Sequence, residues 1–212
     1  VTGGLLIVGA GGHGKVVADA ALRQGGWNKI AFLDDAYPET DQAIGLAVLG
    51  KTDRAEQLLP DYPDAAVAIG NADIRLELLD RLEQLGFRLP VIKHPRATVS
   101  PHARIQAGSV IFAQGVINPD AELGRGCIVN TAATVDHDCR LGAGVHVAPG
   151  AHVGGGVRIG RKSWIGIGAC IRQYIAIGAE VTIAAGAAVV SDVPDERTVA
   201  GVPATNITRS ER

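Results

Sequence analysis

From Val99 to Val189 every sixth residue is Ile, Leu or Val, sixteen positions without an exception. Position five of each hexad is small or aliphatic, beginning Ala103, Ser109, Gly115, Ala121, Cys127 and Ala133 and ending Ala187 and Val193. Two inward positions in six fit neither a helical period nor the alternation of one long strand. They fit short strands with a corner in every hexad. Three hexads make a triangular turn, so residues 18 apart stack on neighbouring coils, and the run predicts about five coils around a prism of Ile, Leu and Val. The glycines Gly142, Gly144, Gly154, Gly160, Gly166 and Gly178 are expected to supply special backbone angles at the corners. The spacing does not fix the hand of the coil.

The chain has 212 residues, and the hexads claim only its second half. Two domains are expected, 1–95 and 96–212, with the boundary near His94-Pro95-Arg96. A net charge of −2 and the lack of a basic stripe argue against a nucleic-acid surface or a polybasic membrane anchor. No uncharged apolar run reaches the length of a membrane span and no signal-peptide pattern opens the chain, which reads as soluble and cytoplasmic. Cys127 and Cys139 fall on inward position five, where a thiol acts as a small buried hydrophobe. Cys170, at position six, has no assigned direction, and no C-x-x-C spacing suggests a metal.

The first 95 residues read differently. Leu5-Leu6-Ile7-Val8 is an apolar strand, Gly9 to Gly14 a glycine turn, and Lys15 to Leu22 a helix. Gly9, Gly11 and Gly14 fit G-x-G-x-x-G, which lets helix N–H groups approach a phosphate. Gly11, Gly12 and His13 are therefore candidate ligand contacts, with His13 either donating to a phosphate or capping the helix. Asp34-Asp35 ends the strand Lys29–Leu33 about 20 residues on, where nucleotide folds place a ribose-binding acid. A strand Ala65–Ile69 leads through Gly70-Asn71 into a helix over Ala72–Gln84, adding Gly70, Asp73 and Arg75 to the same end of a small Rossmann-like α/β parallel sheet. A last short strand is expected around Val91-Ile92. Only one mononucleotide-sized half is present, so one nucleoside diphosphate carrying another group fits better than a dinucleotide.

Among the six histidines, His137 stands at position three of its hexad, near an outward corner, between Asp136 and Asp138. An imidazole partnered by a carboxylate is a suitable base near neutral pH. The residues alone leave open a plain surface histidine between two solvated acids. His146 and His152 occupy position six one hexad apart, on different faces, so they do not make a metal pair. Gly155 lies 18 residues beyond His137, where a bare backbone N–H could stabilise an oxyanion.

The hexads and the closing Ala200-Gly201-Val202-Pro203-Ala204 resemble the left-handed β-helix hexapeptide acyltransferases. Gly9-Ala10-Gly11-Gly12-His13-Gly14, Phe32-Leu33-Asp34-Asp35, Ala68-Ile69-Gly70-Asn71 and the run Asn130 to Cys139 narrow the resemblance. The whole chain is similar to bacterial sugar N-acetyltransferases that modify nucleotide-linked 4-amino sugars, including bacillosamine-pathway enzymes, and to their sialic-acid O-acetyltransferase relatives. That resemblance implies a homotrimer, acetyl-CoA in the groove between adjacent β-helices, and a nucleotide sugar on the N-terminal domain. It implies His137 as base with Asp138, where some relatives have Glu, as its helper and Asp136 in reserve. It implies Asn130 as a substrate contact and His146, Gly155, Ile167 and Ala185 as acetyl-CoA contacts, Ala185 standing where some relatives have Gly.

The expected reaction is acetyl transfer to the C4 amine of a UDP-linked 4-amino-4,6-dideoxy sugar, without an acyl-enzyme or a metal. The alternatives are a GDP- or dTDP-linked amino sugar, a sialic-acid hydroxyl, or a trimeric nucleotide-binding scaffold with no catalysis.

Overall fold

The structure, a computed structural model, describes residues 3–207. The chain divides into two compact units, Val1–Pro95 and Arg96–Arg212. Among the described residues no helix is long and apolar enough to cross a membrane.

The first unit is an α/β layer structure. Its elements are β1 (Gly4–Val8), α1 (Gly12–Gln24), β2 (Lys29–Leu33), β3 (Gln42–Ala43), β4 (Leu46–Ala47), α2 (Ala55–Leu58), β5 (Asp64–Val67), α3 (Ala72–Gln84) and β6 (Ile92–Lys93). Strands β2, β1 and β5 form one parallel sheet in that order, Leu5 facing both Ile30 and Asp64 across the ladder. Leu5, Leu6, Ile7, Phe32 and Leu33 are fully buried, which explains why these strands read as continuous apolar runs. Helix α1 begins at Gly12, three residues before the expected start at Lys15, because Gly12 and Gly14 already hold helical geometry. The short strand expected at Val91-Ile92 lies at Ile92–Lys93 and takes no place in this sheet.

The second unit is a three-sided parallel β-helix built from two-residue strands. Its first face stacks strands ending at Val99, Ile117, Val135, Val153, Ile171 and Val189, and its second those ending at Ile105, Leu123, Leu141, Ile159 and Ile177. The third carries strands ending at Ile111, Val129, Val147, Ile165 and Ile183, then Thr198–Ala200. Pairing joins residues 18 apart, as in Val116 with Thr134 and Glu122 with Arg140. From Ile111 to Val189 the hexad aliphatics are buried, each contributing about 1.5–3 kcal/mol through lost apolar exposure. The hexad strands divide six, five and five over the three faces, as about five coils require, and Thr198–Ala200 on the third face carries the coil beyond them.

Corner geometry departs from expectation. Position four of every hexad from Gly108 to Gly186 has a positive φ, including Gln114, Asp120, Ala132, Asp138, Lys162, Tyr174 and Glu180. Of the glycines expected to turn corners only Gly144, at φ +74°, does so. Gly142, Gly154, Gly160, Gly166 and Gly178 occupy position two, where an added Cβ would lie 2.2–2.8 Å from atoms of the next coil. They are glycines for close approach between coils.

The last coil is two residues short. Val193, expected at position five, instead bridges Ile177 and takes the inward aliphatic place, and Val199 pairs with Ile183. Asp195, which would otherwise fall on the aliphatic frame, is thereby turned out to solvent, where its Oδ1 accepts the N–H of Ala179 at 2.8 Å.

Candidate active site

At the corner leaving the first face, the backbone turns through Asp136, His137 and Asp138. Asp138 holds φ +59°, the left-handed conformation that the corner demands and that Asp tolerates better than most residues. From there its Oδ2 lies 2.7 Å from Nδ1 of His137. The hydrogen bond to Asp138 raises the His137 pKa above its ordinary value, with the charges of Asp136 and Asp138 adding to the effect. The imidazole is half exposed, which leaves it open to proton exchange.

Gly155 sits one coil on, as the 18-residue stacking predicts. A Cβ there would stand 2.6 Å from Nε2 of His137 and 2.7 Å from Cε1, so only a residue without a side chain lets the ring lie in this position. Its carbonyl accepts from Tyr174 N–H at 2.9 Å, and its own N–H takes no part in the inter-coil ladder. Beneath it, Cys139 Sγ donates to Gly154 O at 3.1 Å. Burial pushes the Cys139 thiol up to about 11, so it is an inert donor inside the prism at neutral pH. Cys127 is likewise buried, its Sγ bonded to Gly142 O at 3.3 Å, whereas Cys170 is exposed.

A second cluster lies near the corner between the third and first faces. Asn130 Nδ2 is 3.2 Å from His146 Nε2, and its Oδ1 accepts Thr131 N–H at 2.9 Å. The His146 ring stacks on Trp164, centroids 5.2 Å apart. Ile167 and Ala185, at position three of successive coils, are exposed on this corner. His152 is exposed on the first face, bonded to Thr134 at 3.0 Å. One chain therefore places His137 and Gly155 on one edge of the prism and Asn130, Ile167 and Ala185 on another. Trp164 and Asn118 were not singled out from sequence, although each stands 18 residues from a partner that was.

In the first unit three loops meet at the carboxyl ends of the strands. Gly9, at φ +101°, makes the turn, and a Cβ on Gly14 would lie 2.0 Å from Gly9 O, so the motif glycines let α1 pack on β1. Gly11, Gly12 and Gly70 meet nothing within 4 Å and have no unusual φ. The fold does not require glycine there; open space above a helix N-terminus does suit an incoming phosphate. The α1 N-cap, Gly11, offers no side-chain cap, and the first helical bond is from Lys15 N–H to Gly11 O. His13 is in the first turn; burial, then the Arg75 charge, lowers its pKa to about 4, so it is neutral at pH 7.

The acidic pair is partly committed to the loops. Asp34 accepts Ala10 N–H at 2.7 Å and Ala36 N–H at 2.9 Å, tying the glycine turn to the end of β2. Asp35 accepts Thr52 N–H at 2.9 Å, and hydrogen bonds from Thr52 lower its pKa. Asp73 is exposed in the first turn of α3, which Asn71 caps by accepting Ile74 N–H. Arg75 differs from expectation: it is 1% exposed, and Nη1 donates to Ile69 O at 2.8 Å and Gly70 O at 2.7 Å. It shapes the loop from below because an unpaired guanidinium could not be buried there. Among the described residues, no group of three or more His, Cys, Asp or Glu side chains is placed to hold a metal ion.

Residues 4–82 match the family described as the PglD N-terminal domain. Over 109 residues the chain is 35% identical to the UDP-N-acetylbacillosamine N-acetyltransferase of Bacillus subtilis (strain 168), a match covering 50% of this chain and 50% of that protein. The chain thus spans about half the length of that curated relative. The acetyltransferase domain of PglB from Neisseria gonorrhoeae FA1090, solved in complex with acetyl coenzyme A, is 49% identical with a TM-score of 0.94, covering 98% of this chain and 100% of that one. PerB from Caulobacter crescentus, solved with CoA and GDP-perosamine, is 37% identical with a TM-score of 0.91, covering 97% and 98%.

Proposed function

The chain belongs to the bacterial hexapeptide-repeat sugar N-acetyltransferase family, and from that premise we propose that it transfers the acetyl group of acetyl-CoA to the C4 amine of a UDP-linked 4-amino-4,6-dideoxy sugar. The observation that carries this reading is the His137–Asp138 pair, 2.7 Å apart, with the ring lying against side-chain-free Gly155.

The neutral amine attacks the thioester carbonyl while Nε2 of His137 takes the proton that the forming C–N bond makes acidic. Asp138 holds Nδ1–H, fixing the tautomer and stabilising the imidazolium. The Gly155 N–H, outside the coil's ladder, is available to the tetrahedral oxyanion. Collapse of that intermediate expels the CoA thiolate and leaves the amide, with no acyl-enzyme. His146, Ile167 and Ala185 contact acetyl-CoA, and Asn130 the sugar. The loops of Gly11, Gly12, His13, Asp34, Asp35, Gly70 and Asp73 hold the nucleotide sugar, with Arg75 supporting them. Two edges of the prism carry the two halves of this set. A homotrimer, with acetyl-CoA between adjacent β-helices, brings one copy's edge to another's.

His137→Ala is expected to lower turnover by about 10² to 10⁴-fold while nucleotide-sugar affinity stays near wild type. Unchanged turnover would sink the assignment. The PerB complex, similar along its whole length, favours a second acceptor, a GDP-linked amino sugar. Assaying UDP-, GDP- and dTDP-amino sugars beside free sialic acid separates the acceptors, and no CoA release with any of them would favour the non-catalytic scaffold.

A further inference from the structure

Two acids flank His137, and the structure gives them different work. Asp136 Oδ1 accepts the backbone N–H of His137 at 2.8 Å and Nδ2 of Asn118 at 2.7 Å. Asn118 stands 18 residues back, at the same hexad position on the preceding coil, so this second bond runs between coils. An oxygen loaded by two donors is held in place, and the histidine turn hangs from it. The backbone closes the rest of the frame, Asp138 N–H donating to Pro119 O at 3.2 Å and Gly156 N–H to His137 O at 2.8 Å. Hydrogen bonds from Asn118 and from the His137 backbone keep Asp136 ionised by lowering its pKa.

We propose that Asn118 and Asp136 are positioning residues for the general base: the pair fixes where the His137 turn sits against Gly155, while Asp138 alone holds the imidazole proton. The proposal rests on the reading of His137 as the base. The charges that act on that ring are Asp138 and Asp136, on its own turn; by the 18-residue register Asp120 lies on the same corner one coil back and Arg172 two coils on, while Gly154, Gly155 and Gly156 on the following coil bring no charge. Asp138 first, then Asp136, favour the imidazolium. A base displaced by a fraction of an ångström from the amine loses rate without losing substrate affinity.

The test uses the intact protein, reading kcat and KM together with the proton NMR titration of His137, assigned by the resonance missing in His137→Ala. Asn118→Ala should lower kcat by about 10 to 10²-fold with KM for both substrates within about two-fold. Asp136→Asn should lower kcat similarly and move the His137 titration to lower pH, because a neutral amide no longer attracts the imidazolium. Asn118→Asp sets a second carboxylate against the first and should lower kcat while moving the titration to higher pH, which tests the pair should the other two variants fold poorly. Turnover surviving in His137→Ala overturns the base reading. Turnover lost there but kept in the Asn118 and Asp136 variants, or a loss confined to KM, overturns only the positioning pair.

Discussion

The proposed chemistry turns on one imidazole, and its neighbours make it sensitive to pH in a predictable direction. His137 acts only when neutral, so kcat/KM rises as the ring loses its proton, and its raised pKa sets that rise above the range of a free imidazole. Asp138→Asn keeps a residue type that tolerates φ +59° but removes the charge. The His137 pKa then falls, the acid limb of the pH–rate profile moves to lower pH, and the plateau drops about 10-fold or more as the imidazolium loses its partner. An unshifted limb would count against Asp138 as the helper. Gly155→Ala tests the ring's seat. Its Cβ would stand 2.6 Å from Nε2, so the imidazole must swing away, and kcat should fall by about 10²-fold while the melting temperature moves by only a few degrees. The placement of Gly155 one coil beyond His137 was legible in the sequence because the hexad spacing converts residue number into place on the prism, whereas the choice of Asp138 over Asp136 came from the family resemblance. Asn118 stacks on Asp136 by the same rule, but the register gives only their places, not that the amide donates to the carboxylate.

Helix α1 separates a glycine the fold requires, Gly14, from one it leaves in open space, Gly12. Gly14→Ala would drive a Cβ to 2.0 Å from Gly9 O, a backbone atom, and should cost about 1–3 kcal/mol, measured by denaturant unfolding. Gly12→Ala meets nothing within 4 Å and replaces a poor helix former, so stability should hold or rise by up to about 1 kcal/mol. Yet KM for the nucleotide sugar should rise about 10-fold, because the new methyl occupies the approach to the helix N–H groups. An unchanged KM would remove Gly12 from the binding surface. The motif showed that a tight turn and a helix follow β1, but it does not separate these two roles, since spacing records only that a side chain is missing. Arg75 illustrates the same limit. Its place beside Gly70 suggested a ligand contact, whereas its burial and its bonds to Ile69 O and Gly70 O depend on where α3 packs, which no local pattern encodes.

Across the second unit, sixteen aliphatic positions determined the prism, its faces and which residues share an edge, while its closing coil escaped them. Val193 and Val199 are aliphatic but out of phase, and the two-residue shortening became visible only through their pairing with Ile177 and Ile183. The same ruler makes a prediction about assembly. His137 and Gly155 occupy the edge between the first and second faces, and Ile167 and Ala185 the edge between the third and first. A site that needs both edges is built from two copies, so a defect on one edge is complemented by a partner defective on the other. His137→Ala and Ile167→Trp should each be nearly inactive alone. Unfolding and refolding them together as equal mixtures should restore activity at roughly a quarter of the wild-type sites, the random-mixing chance that one site draws an intact His137 and an intact Ile167 from neighbouring copies of a closed ring. Mixtures no more active than the separate variants would mean that one chain supplies both edges of its own site, and the groove between β-helices would have to be abandoned as the place of acetyl transfer.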